Sequence, residues 1–167
     1  ARGSERIIMK IRLITIGKVK DRWIREGIEE YTKRLTPYCK LEILELGEEK
    51  LPENPSLAQV KQGLEKEGER LLKSLGDDSL PILLDLHGKE WSSEKFSHHL
   101  DQWGLEGKSN IAFLIGGAFG LSDSVRDRAK ERLCLSPMTF THTMTRLILV
   151  EQIYRAFKIS RGEKYHW

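Results

Sequence analysis

Cysteine is nearly missing from this chain, with only Cys39 and Cys134 in 167 residues. Two cysteines build no disulfide framework, and none of the five histidines has a C-x-x-C or H-x-x-x-H partner at metal spacing. A reducing compartment, the cytoplasm, and no structural metal are therefore expected. Long apolar runs are also missing. The longest mainly apolar stretch, 111–121, contains three glycines and is about half of the ~20 residues a membrane span needs, so no membrane partner is expected. Isoleucines alternate with charged residues from Arg6 to Arg12, which denies the start of the chain the apolar core of a signal peptide. Charge of one sign is scarce too. Lys and Arg number 28 against 25 Asp and Glu, and a net +3 is too small to announce a nucleic-acid partner.

Hydrophobic residues at 39% and charged residues at 32% are ordinary for a globular protein and exclude the disordered, collagen and coiled-coil classes. The length suits one domain. The first methionine is Met9, so residues 1–8 read as an added or upstream extension and 9–167 as a single domain. Charge is unevenly spread. Residues 1–40, 41–70, 71–140 and 141–167 carry balances of +6, −4, −2 and +3. Two basic ends brought together by the fold would form a face able to steer a polyanion, whereas separate ends would leave ordinary solvated lysines.

From Met9 onward, strand and helix periodicities alternate. Ile11, Leu13, Ile14 and Ile16 form a β-branched run closed by Gly17, and Ile24, Ile28, Tyr31 and Leu35 then recur at helical spacing up to Pro37. A second strand is predicted over 41–46 and a loop over 47–55. Ser56 and Gln59 form a capping box for a helix over 57–75, whose Gly63 and Gly68 weaken it and predict fraying. Further strands are predicted over 81–86, 110–115 and 133–135. Ser92 or Ser93, and Ser122, cap the helices after the first two of these. The last helix is predicted over 143–159. Five βα repeats imply an α/β fold with a mainly parallel sheet covered on both faces. The last helix is apolar on more than one side through Met144, Leu147, Ile148, Val150, Ile153, Tyr154 and Phe157, so it needs two surfaces to cover it, one of them expected to be a second subunit.

Three segments stand out chemically. Leu114-Ile115-Gly116-Gly117-Ala118-Phe119-Gly120-Leu121 follows a strand and opens a helix, so a ligand or another backbone can come close. Its G-G-x-x-G spacing is neither a dinucleotide fingerprint nor a P-loop, and tight strand-to-helix packing alone would account for it. Leu135-Ser136-Pro137-Met138-Thr139-Phe140 offers backbone groups and small hydroxyls around an apolar slot suited to a purine and a thioether, or else makes an ordinary connection. The last helix and tail interleave Arg146, Arg155, Lys158, Arg161 and Lys164 with Tyr165, His166 and Trp167, a mixture suited to phosphates and stacked bases or to a solvated tail.

These strings, with Met138-Thr139-Phe140-Thr141-His142, the run from Glu151 to Ile159, the closing Gly162-Glu163-Lys164-Tyr165-His166, and Ile16-Gly17-Lys18 near the start, resemble the ribosomal RNA large subunit methyltransferase H family. The resemblance runs from Met9 to His166. It implies a SPOUT-class α/β fold with a C-terminal trefoil knot, which replaces the ordinary doubly wound connection. It also implies a homodimer through the last helix. The implied activity is S-adenosylmethionine-dependent methylation of N3 of a pseudouridine in 23S rRNA of the assembled ribosome. For the methyl donor, the resemblance implies Leu84, Gly116, Leu135, Ser136, Pro137, Met138, Thr139 and Phe140. Where the family has proline before the histidine this chain has Thr141, which is expected to loosen the turn into the last helix.

Transfer of a methyl group from sulfonium to N3 is an in-line displacement that also requires a proton to leave. His142, Arg155, Tyr165 and His166 are the candidates to assist. Tyr165 and His166 are expected to complete the catalytic site with Arg155, while Arg146, Lys158, Arg161 and Lys164 grip RNA. His142 reads equally as a structural residue, and Asp85 and Glu151 read as structural. The competing readings are a SPOUT enzyme acting on tRNA and a non-catalytic ribosome-binding module. A nucleotide hydrolase ranks third, because no phosphate-gripping lysine loop is present.

Overall fold

In the computed structural model, residues 8–129 and 131–165 are described. The strands are β1 (Met9–Ile16), β2 (Cys39–Leu46), β3 (Leu80–Glu90), β4 (Asn110–Ile115) and β5 (Glu131–Cys134). The helices are α1 (Arg22–Leu35), α2 (Leu57–Leu75), α3 (Ser93–Leu105), α4 (Asp123–Arg128) and α5 (His142–Ser160). All strand pairings are parallel, in the order β2-β1-β4-β3-β5.

The period-2 alternation of the central strands divides the interior into two cores. Ile11 and Leu13 of β1, with Ile111, Phe113 and Ile115 of β4, face α1, α3 and α5. Ile14 and Ile16, with Ala112 and Leu114, face α2 and α4. Helices therefore cover both faces, as the βα alternation requires. The capping box forms as expected, with Ser56 Oγ accepting from Gln59 N–H and Gln59 Oε1 from Ser56 N–H. Ser92, rather than Ser93, caps α3.

Several expectations need correction. Gly63 and Gly68 lie inside an uninterrupted α2. A Cβ on Gly68 would overlap Ser122 Oγ and come within 3.1 Å of Val125, so this glycine lets α4 pack close and its propensity cost is offset by that packing. Thr141 tightens the start of α5, because its hydroxyl accepts the Met144 N–H at 3.2 Å. A proline there would have no side-chain oxygen for that cap. One side of the apolar arc of α5 is covered within the chain, while Met144 and Ile148 stay half-exposed. Leu149, Val150, Ile153 and Ala156 are buried against the sheet-side core, Leu147 presses on Gly27 of α1, and Ser97 of α3 donates to Ala156 O at 2.6 Å.

The strand predicted over 81–86 runs on to Glu90. Its pairing with β5 slips on the way: Leu133 faces Leu84 and, after the shift, Lys89. Residues 85–88 therefore bulge from the ladder at the C-terminal end of β3. A Cβ on Gly88 would lie 2.7 Å from the backbone of Arg132, so glycine permits this close crossing.

Candidate active site

At the C-terminal ends of β3, β4 and β5, where parallel α/β sheets bind ligands, the chain encloses a cleft of about 520 Å³. Three segments of backbone form it. The bulge after β3 contributes Leu84, Asp85, Leu86 and His87. The glycine loop after β4 turns tightly, with Gly120 N–H donating to Gly117 O at 3.1 Å and Gly120 at φ 92°. A Cβ on Gly116 would overlap the Gly120 carbonyl, so only glycine fits that wall. The third segment, 135–140, is folded on itself through Ser136 Oγ, which accepts from Met138 N–H at 3.0 Å, and Cys134 Sγ, which donates to Ser136 O at 3.0 Å.

Of the donor residues implied by the resemblance, Leu84, Gly116, Leu135, Ser136, Met138, Thr139 and Phe140 line this cleft. Pro137 is exposed and does not line it. The volume suits a nucleoside-sized ligand. Leucine, methionine and phenylalanine walls interrupted by backbone groups and small hydroxyls suit a purine and a thioether arm, so the residues present fit S-adenosylmethionine.

Sequence reasoning missed part of the wall. His87, Arg126 and Thr145 also line the cleft, as do Asp85, which read as structural, and His142, already a candidate. The Asp85 carboxyl is only 7% exposed; its Oδ1 accepts from His87 N–H, while its Oδ2 lies 3.7 Å from Arg126 and 3.9 Å from Arg132. No hydrogen bond reaches that Oδ2 among the described residues. Only the β3 register slip brings Asp85 and His87 to this edge, and no motif marks it.

Tyr165 and Arg155 are elsewhere. Arg155 pairs with Glu151 at 2.9 Å and lies over the Tyr165 ring. The Tyr165 hydroxyl donates to Glu151 at 3.1 Å and its ring meets Tyr154 edge-on. Burial, the Tyr31 hydroxyl and the Glu151 carboxylate push the Tyr165 hydroxyl far above its ordinary pKa. Glu151 is six residues beyond Thr145, about 9 Å along α5 at 1.5 Å per residue, so this cluster is set back from the cleft of its own chain. Through Tyr165 the tail is packed onto the protein, and a freely solvated tail is excluded to that point. His166 and Trp167 lie outside the described residues.

The four proposed RNA-gripping residues fall into different environments. Arg146 is 1% exposed and donates to Ile16 O at 2.7 Å, Gly17 O at 2.9 Å and Glu45 Oε2 at 3.1 Å. It is an interior clamp between α5 and the ends of β1 and β2, and this burial removes it from the RNA surface. Burial also lowers its pKa, against the opposing pull of Glu45. Lys158 is tied to Glu163 at 3.0 Å, and the Tyr38 hydroxyl and that carboxylate raise its pKa. Arg161 is exposed above the Tyr38 ring, and Lys164 is exposed.

The profile of a family described as "Predicted SPOUT methyltransferase" matches residues 9–166, the whole of this fold. The chain belongs to the SPOUT methyltransferase family. Within it, the ribosomal RNA large subunit methyltransferase H of Clostridium acetobutylicum is 52% identical over 158 residues, covering 95% of this chain and 99% of that protein. The protein of the same name from Enterococcus faecalis is 48% identical over 158 residues, with the same coverage. Among solved structures, a probable methylase family protein from Haemophilus influenzae shares the fold at a TM-score of 0.53 and 14% identity, covering 94% of this chain and 70% of that one. This SPOUT chain has no described helix long and apolar enough to cross a membrane. Nor do its described residues group three His, Cys, Asp or Glu side chains where a metal could be held.

Proposed function

We propose that this chain methylates large-subunit ribosomal RNA, taking the methyl group from S-adenosylmethionine and delivering it to N3 of a pseudouridine on the assembled ribosome in the cytoplasm. The observation that carries this reading is the cleft. Seven of the eight donor residues implied by the resemblance converge there from three separate segments. Relatives at about half identity over nearly the whole chain are named for the same substrate class. The bound donor supplies an electrophilic methyl carbon. Leu84, Leu135 and Phe140 would exclude water around it, and Gly116 would let the backbone close on it.

The working unit is a homodimer formed through α5. Tyr165 and Arg155 lie set back from the cleft of their own chain, so a catalytic part for them, with His166, calls for the tail of a second copy at each cleft. Ile148 and Met144 remain half-exposed on α5 and supply apolar surface for that contact. The knotted path is part of the same proposal. It is supported by the return of α5 from edge strand β5 to the far end of β1, where Arg146 fastens it.

The test is incubation of the protein with isotopically labelled donor and intact ribosomes, followed by nucleoside analysis of the rRNA. Label in N3-methylpseudouridine from 23S rRNA is expected. Label in tRNA alone would move the target, and donor binding without transfer to any RNA would leave a ribosome-binding module. Light scattering showing a monomer at micromolar concentration would refute the dimer.

A further inference from the structure

The proposed reaction leaves one proton unaccounted for. The pseudouridine N3 carries a hydrogen that must depart as the N–CH3 bond forms, and a side chain placed at the reacting centre to accept it would speed the step. The cleft wall holds few candidates. Arg126 has no basic lone pair to offer. Asp85 is turned toward Arg126 and Arg132 and accepts from the bulge backbone. The Cys134 thiol is buried and already donates to Ser136 O. His87 is exposed at the rim of the bulge. His142 is half-buried, opens α5, and stands two residues after the 135–140 segment that walls the donor site. Its imidazole has no hydrogen-bond partner among the described residues.

Resting on the proposed methyltransferase reading, we propose that His142 is the catalytic base that removes the N3 proton of the target nucleobase. The position is rigid, as a proton acceptor requires. Thr141 caps the helix beneath it, and Arg146, one turn on, fastens that turn to Ile16 and Gly17. The groups facing the imidazole are Arg146 on its own helix and Glu48 in the loop after β2, with Asp85, His87 and Arg126 on the same cleft. Burial, then Arg146, hold the imidazole below its usual pKa against the weaker pull of Glu48, so it is neutral at physiological pH with a nitrogen free to accept. In the step, the N3–H proton passes to that ring nitrogen and the N3 electron pair bonds the methyl carbon. The carbon–sulfur bond breaks with its pair going to sulfur, which turns sulfonium into thioether. The imidazolium then gives its proton to water.

The test is single-turnover methylation of ribosomes across the acid-to-alkaline range for wild type, H142Q, H87Q and H166A, alongside donor binding by calorimetry and imidazole titration by NMR in the free protein. H142Q is expected to lose at least about 100-fold in rate at neutral pH, the low end for general-base catalysis. Its donor affinity should be unchanged, the acid limb of the profile should disappear, and the rate should recover at alkaline pH, where N3 ionises unaided. Free imidazole should partly restore H142A. His142 itself should titrate below the ordinary histidine value. An H142Q enzyme that keeps the wild-type rate or the acid limb overturns the proposal. So does loss of that limb in H87Q or H166A instead, or a His142 that is charged at neutral pH. A wild-type protein that transfers no methyl group to any RNA refutes the underlying reading, and this inference falls with it.

Discussion

Replacing Arg146 with methionine separates an interior clamp from an RNA-binding side chain. Methionine fills a similar apolar volume but donates nothing, so Ile16 O and Gly17 O lose their partners at 2.7 and 2.9 Å, and Glu45 loses its cation at 3.1 Å. An orphaned buried acceptor costs about 1–3 kcal/mol, and removing one member of a buried ion pair about 3–5 kcal/mol. Two things reduce the sum. Glu45 is one-third exposed and can rehydrate, and the desolvation cost of the Arg146 charge is recovered. A net loss of about 3 kcal/mol follows. For a chain of this length that is a drop in Tm of roughly 6–12 °C. Urea unfolding of R146M, R146K and E45Q reads it directly, with R146K intermediate because one ammonium cannot span three acceptors. Were Arg146 a surface residue touching RNA, R146M would change stability by less than about 0.5 kcal/mol and would weaken ribosome binding in a salt-dependent way. That pair of results would refute the interior reading.

Other consequences are accessible to the same measurements. G116A places a methyl group against the Gly120 carbonyl, so calorimetry should show donor affinity reduced by at least about tenfold, or 1.4 kcal/mol, and unchanged affinity would disprove the cleft assignment. Glu67 is held above the usual carboxylate pKa, chiefly by burial and further by Glu48, against the Glu49 N–H it accepts. A carboxyl raised in this way contributes stability below its unfolded value and loses it as pH rises through the folded one. E67Q should therefore melt higher than wild type at neutral pH and lose that advantage in acid. Glutamine at both Arg161 and Lys164 should flatten the salt dependence of ribosome binding by about 0.7–0.9 for each phosphate no longer neutralised, and an unchanged slope would take the tail out of the RNA interface.

Local chemistry made much of this molecule legible in advance. Nearly continuous apolar runs in 11–16 and 110–115 pointed to strands buried on both faces, Ser56 with Gln59 to a helix start, and the paired glycines after β4 to a close approach. These are short-range consequences of backbone geometry and side-chain type, so neighbouring residues suffice to read them. The glycine loop and 135–140 stood out as contiguous strings, but their assignment to the methyl donor, and that of Leu84, came from the family resemblance.

What composition could not say is where charged side chains end. A net +3, with basic excess at both ends, suggested a gripping surface. Folding divides those bases by partner instead. Arg146 is buried on β1 carbonyls, Arg155 and Lys158 are neutralised by Glu151 and Glu163, and Arg161 and Lys164 remain exposed. Desolvation and pairing depend on residues a hundred or more positions away, such as Ile16 for Arg146, and no local pattern encodes them. The cleft follows the same logic. Asp85 and His87 reach it because β3 slips register against β5, and His142 reaches it because α5 is pinned back onto β1. Local sterics and periodicity were enough to place the elements and the donor loops along the chain. Which arginine is a clamp and which histidines line the cleft emerged only on folding, because burial, long-range hydrogen bonding and strand register set them.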